Sequence, residues 1–370
     1  MNFDDRITEM IDLLSKLVET ESPTHDKKAV DQVGAILAEA SQKLGASVTI
    51  HPQEKRGDHI LARWGTGEGG ILLLGHMDTV FPLGTLAEMP LYEKDGKIFG
   101  PGVLDMKSGL VIILTAIAAL RDAGKMPRCP ISVLFTSDEE VGSQTSRALI
   151  EKLAVDSDLV LVLESALPDG SLKTWRKGVG DFTIRVTGRA AHAGGAHADG
   201  RNAIEEMAHQ ILKIQKFTDY EKGTTLNVGV INGGTASNVV PETAEAKVDL
   251  RVLQEGEYER IALAMQSLES VLDGTSIQIN GVLNRPPMPF DVTMEATFAK
   301  AQDIATRAGI IIKAGGSGGA SDGNFVAPLG VPLLDGLGGV GEGLHSSREY
   351  VLIDSLVERT RLLAGLLQEW

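Results

Sequence analysis

Three short runs in this chain, "GILLLGH" (70–76), "CPISVLFTS" (129–137) and "DLVLVLES" (158–165), are apolar almost without a break. A strand with one wet face alternates apolar and polar residues, whereas an unbroken apolar strand needs cover on both faces. A helical stretch from about Lys107 to Asp122, stopped at Gly124, lies between the first two runs. This alternation predicts an α/β chain with a parallel sheet sandwiched by helices. In such sheets ligands gather at the carboxyl ends of the strands. Each run carries ionisable residues at that end: His76, then Asp138, Glu139 and Glu140, then Glu164.

The chain of 370 residues exceeds one typical core, so two domains are expected. Residues 5–19 place Ile7, Met10, Ile11, Leu14 and Leu17 at helical spacing. After Gly178 the texture changes. "DFTIRVTG" alternates like a half-exposed strand, and a helix from about Asn202 to Lys216 follows. Next come "TTLNVGVING" and "AEAKVDLRVL", a helix from about Glu257 to Leu272, and "SIQINGV". The order β-α-β-β-α-β predicts a ferredoxin-like α+β domain inserted at 179–287, with residues 1–178 and 288–370 forming the outer domain. Pro286, Pro287 and Pro289 mark the exit, and a glycine-rich loop is expected at 315–319.

The formal charge of −15 weighs against nucleic acid or an anionic membrane as partner. The longest apolar run, Leu110 to Leu120, is too short to span a bilayer. The acidic, amphipathic "MNFDDRITEMIDLL" does not read as a signal peptide. With one cysteine, Cys129, no internal disulfide forms, which fits a reducing, cytoplasmic compartment.

"GHMDTV" offers His76 and Asp78, "GPGVLDMKSG" Asp105, "SDEEVG" Glu139 and Glu140, "LES" Glu164, and "GLHSS" His345. Two histidines and several carboxylates form an N/O donor set suited to divalent ions, zinc first. Each residue also has a plainer reading. His76 could be a hydrogen-bonded histidine at a sheet edge, Asp105 an N-cap, and the acidic triplet a solvated loop. All of them falling at one sheet edge by accident is the less economical account.

Taken together, "GHMDTV", "GPGVLDMKSG", "TSDEEVGS", "AAHAGG", "ASNVVPE" and "GLHSS" resemble, in order and spacing, the M20 zinc metallopeptidases. Within that family the look is nearest to glutamate carboxypeptidases of the carboxypeptidase G2 type. The resemblance implies a zinc-peptidase-like catalytic domain with a mixed, largely parallel sheet, and an inserted lid and dimerisation domain. It implies two divalent ions per subunit, most naturally Zn2+, with Co2+ or Mn2+ as substitutes. Asp105 would bridge them, His76 and Glu164 completing one site, Glu140 and His345 the other. A bridged pair sits roughly 3.5–4 Å apart and brings the pKa of water to roughly 7. Glu139 would be the general base, taking the water proton and passing it to the leaving amine. Asp78 would hold the His76 ring by a hydrogen bond. The Asp105–Met106 peptide becomes a candidate cis bond.

The resemblance also makes His192 a donor to the developing oxyanion, reaching across a homodimer paired through the inserted domain. Asn238, Arg251 and Arg285 become substrate contacts, since an arginine fork suits a carboxylate. Gly316, in "GGSGGASDG", lies in the family's glycine-rich loop near the substrate. The lysine such carboxypeptidases carry after the Glu164-type ligand has no aligned counterpart, Lys173 and Arg176 being offset. The expected activity is release of a C-terminal amino acid, glutamate among the candidates, from a small peptide. The alternative is an N-acyl amino acid deacylase, of deacetylase or desuccinylase type, working with the same ions. "GGSGG" also satisfies G-x-S-x-G, with Ser317, Asp335 and His345 in α/β-hydrolase order. That reading leaves His76, Asp105, Glu139, Glu140 and Glu164 unexplained. A non-catalytic binding protein on the same fold would be expected to have lost ligands, and none is missing.

Overall fold

The structure, a computed structural model, describes residues 3–370. The chain divides into two compact units: one contains the chain up to Trp175 with Phe290–Ser317 and Ser321–Trp370, the other Arg176–Pro289 with Gly318–Ala320. These divisions lie at Arg176 and Pro289, against 179 and 287 from sequence, and Gly318–Ala320 is an addition that sequence texture did not mark.

In the first unit six strands run in the order Ser47–His51, His59–Trp64, Ile131–Thr136, Ile71–His76, Leu159–Val162, Leu333–Leu334. The last four are parallel, and the first two pair antiparallel at one edge. The sheet is therefore mixed and largely parallel. Every residue of Ile71–His76 is buried, as unbroken apolarity demands. The register sets His76 beside Thr136, and Leu74 beside Val162. Strand ends at 76, 136 and 162 therefore emerge at one edge.

Helix Ser108–Asp122 is buried along nearly its whole length, against the sheet and the helices Ile7–Glu19 and Ile353–Glu369. With the wide turn Val103–Lys107 before it, the stretch Val103–Asp122 is 20 residues long and apolar enough to cross a membrane. It is thus longer than the run seen in sequence. Yet 89% of its most apolar window is buried within the protein, so core packing accounts for its composition. The helix closes as expected, with Gly124 left-handed and Lys125 N–H donating to Leu120 C=O at 2.8 Å.

The second unit has a four-stranded antiparallel sheet ordered Thr225–Gly233, Thr243–Val252, Gly178–Thr187, Ser276–Arg285. Helices Ala203–Gln215 and Glu257–Gln266 complete the β-α-β-β-α-β order. Residues of Gly178–Thr187 alternate in burial, and Phe182, Ile184 and Val186 face a separate apolar core. Asn202 caps the first helix, its side chain accepting from Ile204 and Glu205 N–H. The second helix ends at Gln266, six residues short of the expected Leu272. There the chain turns so that Val271 and Leu272 donate N–H to the buried Glu206 carboxylate at 3.0 and 2.7 Å. That side-chain acceptor replaces helical carbonyls as partner for these amides.

Candidate metal centre

His76 ends its strand, while Asp138–Glu140 follow Ile131–Thr136 and Glu164 follows Leu159–Val162. Asp105 lies in the wide turn leading into the buried helix. Its backbone is extended (φ −116°, ψ 94°) and the Asp105–Met106 peptide is cis. Asp105 does not cap that helix, which begins at Ser108 with Lys107 at the cap position and no side-chain cap hydrogen bond. His345 comes from a tight turn in which it is left-handed, φ 57°.

The two carboxylate oxygens of Asp105 face different imidazoles. Oδ1 is 3.1 Å from His76 Nε2, and Oδ2 is 3.1 Å from His345 Nε2. Glu164 Oε1 stands 3.5 Å from His76 Nε2, and Glu140 Oε2 3.4 Å from His345 Nε2. The result is two three-donor sets sharing Asp105: His76–Asp105–Glu164 and Asp105–Glu140–His345. Within each, donor atoms lie within 4.8 Å of one another. The acidic turn is no solvated loop, since Asp138 is fully buried and Glu139 is 9% exposed.

Crowded carboxylates favour positive charge at this spot. Hydrogen bonds to Asp105 and then Glu140 raise the His345 pKa to about 11. Burial alone would lower His76, but Asp105, Asp78 and Glu164 push it well above its ordinary value. Burial raises Glu140. It would raise Asp105 too, but the His345 and His76 hydrogen bonds outweigh it and hold that carboxyl low. Among the described residues, Glu140 Oε1 is buried and has no hydrogen-bond partner. An orphaned carboxylate oxygen inside an N/O donor set is the chemistry of a site for a divalent ion.

Asp78 meets the His76 ring at two points. The His76 Nδ1 partner is the Asp78 main-chain carbonyl at 2.9 Å; the carboxylate is 3.5 Å away. Because a carbonyl only accepts, Nδ1 carries a proton, and Nε2 is the ring nitrogen turned toward Asp105. The Asp78 carboxylate also ties down the acidic turn, accepting from Glu139 N–H and Glu140 N–H at 3.3 Å each, and from Thr24 Oγ1 at 2.7 Å. Sequence reasoning missed the surrounding layer. Asp138 accepts from Thr145 N–H and Oγ1, and His59 Nε2 meets the same hydroxyl at 3.0 Å. Lys107 is buried, pushed down to about 7 by burial, and donates to Thr20 C=O at 2.9 Å. Glu349, fully buried, accepts from three amides around Asp105. Single charged residues in polar loops offered no periodicity that would have singled them out.

His345 Nε2 turned to Asp105 and Glu140, and Asp335 accepting from Ser321 Oγ at 2.6 Å, give these residues roles other than an Asp–His pair serving Ser317. The glycine-rich stretch is partly a strand: Ala314–Ser317 pairs with Leu172–Arg176. A Cβ on Gly316 would lie 1.7 Å from Trp175 Cε2, so packing on the indole already demands glycine there.

The other expected substrate residues lie in the second unit. Ala193 N–H donates to Asn238 C=O at 2.9 Å, joining the His192 and Asn238 loops. His192 Nδ1 accepts from Gly194 and Gly195 N–H at 3.1 and 2.9 Å. The ring proton is thereby placed on Nε2. Arg251 and Arg285 both pair across from Val179 on strands flanking it. The Arg251 fork is not open on its Nε side: Nε and Nη2 hold the Asp249 carboxylate at 2.8 Å each. Arg285 is buried, its Nη1 3.3 Å from Asn284 Oδ1.

Residues 72–369 match the family described as Peptidase family M20/M25/M40. The chain is 31% identical to carboxypeptidase G2 of Pseudomonas sp. (strain RS-16), over 97% of this chain and 89% of that one. It is 32% identical to acetylornithine deacetylase of Proteus mirabilis (strain HI4320), over 73% and 72%. The fold matches that of aminopeptidase PepT from Bacillus cereus with a TM-score of 0.81, at 23% identity and 98% coverage of each chain. The chain thus belongs to peptidase family M20/M25/M40 and is an M20-type metallopeptidase or amidohydrolase.

Proposed function

We propose that this enzyme holds two divalent ions, zinc foremost and cobalt or manganese as substitutes, and hydrolyses an amide to release a C-terminal amino acid. His76 and Glu164 would hold one ion, Glu140 and His345 the other, with Asp105 shared. The observation that carries the reading is Asp105, whose two oxygens each face a different histidine at 3.1 Å. Such a pair of ions supplies Lewis acidity to the scissile carbonyl and makes water acidic enough to attack near neutral pH.

The protein's own groups do the rest. Glu139 takes the proton of the attacking water and returns it to the leaving amine as the C–N bond breaks. Asp78 anchors the turn that carries Glu139 and Glu140. His192, with its proton on Nε2, donates to the oxyanion. Asp249 orients Arg251 through Nε and Nη2, and Nη1 remains to meet a substrate carboxylate. Arg285 and Asn238 complete the substrate contacts, and Gly316 brings backbone close to the ligand. The second unit acts as lid and dimerisation domain. Cys129, single and exposed, suits a cytoplasmic setting.

The likeness to acetylornithine deacetylase favours a second reading, N-acyl amino acid deacylation at the same centre. A panel of peptides and N-acyl amino acids ending in glutamate, alanine or lysine decides between them. The carboxypeptidase reading expects preference for peptides, with Arg285→Ala weakening glutamate substrates more than alanine ones. Equal losses would remove Arg285 from the specificity pocket. Elemental analysis finding no bound transition ion in unchelated enzyme would remove the two-ion reading.

A further inference from the structure

We infer that Glu349 is a positioning residue that sets the spacing between Asp105 and His345, and with it the affinity for the ion those two share. The inference rests on the two-ion reading.

Within the turn Val103–Lys107 the Lys107 amide closes on Gly102 C=O at 3.1 Å, but Asp105 and Met106 have non-helical backbone angles and the Leu104 and Asp105 amides take their acceptor from outside. Glu349 supplies acceptors from outside. Its Oε1 accepts from Leu104 N–H at 2.8 Å and Asp105 N–H at 3.0 Å, and its Oε2 from Gly102 N–H at 3.2 Å. Its main chain joins the same contact, Glu349 C=O accepting from Gly100 N–H at 3.4 Å. The next residues, Tyr350–Leu352, pair antiparallel with Lys97–Phe99, the strand that leads into the Asp105 turn. On its other side Glu349 N–H donates to Ser346 C=O at 3.2 Å, within the turn that carries His345. One fully buried carboxylate therefore ties together two segments 240 positions apart whose side chains meet at 3.1 Å.

A side chain with two acceptor oxygens suits this place because the three amides bonded to it are donors. A glutamine there has one acceptor oxygen and an NH2 group, so at least one amide meets a donor instead of an acceptor. Groups that orient metal ligands from behind typically account for 10–100-fold in affinity. The site of Asp105, Glu140 and His345 takes two ligands from clamped segments, whereas the site of His76, Asp105 and Glu164 takes only one. Loss of the clamp therefore falls mainly on the first of these.

The test is titration of metal-depleted full-length protein with Co2+ against a competing chelator, followed by d–d absorption, for wild type, Glu349→Gln and His345→Ala. Thermal unfolding of each metal-depleted protein runs alongside. Wild type should show two binding steps, of which His345→Ala removes one. Glu349→Gln should weaken that same step about 10–100-fold, with the other step changed much less and metal-free unfolding still cooperative, its midpoint lowered by the one amide left facing a donor. Should the glutamine variant not fold, Glu349→Asp, which keeps the charge but withdraws it by one methylene, is expected to show the same selective loss. Two wild-type steps reproduced unchanged in the variant, or equal weakening of both with a matching loss of metal-free stability, overturns the role of Glu349. A wild-type chain that takes up no Co2+ overturns the two-ion reading instead.

Discussion

Glu139 and Glu140 are neighbours in sequence with different surroundings. Glu140 reaches His345 through Oε2 and, among the described residues, leaves Oε1 without a hydrogen-bond partner, while Glu139 is buried on the same turn, its amide held by Asp78. Glu139–Val141 is a 3-10 turn, whose three residues per turn fan consecutive side chains apart, which a strand or loop reading of "DEE" does not specify. Glu139→Gln keeps size and removes basicity. Metal content should stay at the wild-type level while kcat falls about 10²–10⁴-fold, as read by elemental analysis beside steady-state kinetics. A variant with wild-type turnover would eliminate Glu139 as general base. Asp78 illustrates the limit at this scale: the sequence motif brought it to His76, but only coordinates separate its carbonyl, which holds the ring, from its carboxylate, which holds the acidic turn.

Among elements, the second unit depends on buried carboxylates that close its loops. Glu257 binds Arg260 Nη2 and Nε at 2.7 and 2.8 Å and accepts from Thr224 Oγ1 at 2.6 Å. The Arg260 hydrogen bond leads in depressing its pKa to about 2, against the rise that burial causes. A carboxyl held below its unfolded value stabilises the fold above the unfolded pKa, about 4.5. That contribution is lost as pH falls from there toward 2. Glu257→Gln should thus cost roughly 1–2 kcal/mol at pH 7, since Arg260 is part exposed and screened. It should also flatten the stability profile between about pH 4.5 and 2. Denaturant melts at stepped pH measure this, and parallel profiles for variant and wild type would refute it. Gly316 belongs to the same scale. Sequence placed it by a glycine-rich pattern, and its packing against Trp175 is a strand-to-strand contact that no local pattern encodes.

For the whole molecule, Thr225–Gly233 is an edge strand whose outer half is exposed, with Val230 and Ile231 at 48% and 50% exposure. An apolar, unpaired edge is a template for pairing with another chain. Homodimers through this edge are the expected outcome, and Ile231→Lys should shift light-scattering mass toward monomer; a monomeric wild type would set the idea aside. The sequence by itself determined the alternation of buried strands and helices, the inserted β-α-β-β-α-β unit and the carboxyl-edge position of the acidic residues. Each of those is written in local periodicity and in the order of elements. It did not determine where the helix after Glu257 stops, which face of Arg251 stays open, or that Glu349 underlies Asp105. Those depend on partners at Glu206, Asp249 and the 102–105 amides. Only close contact in three dimensions gives a buried donor its acceptor, and the two are often far apart along the chain.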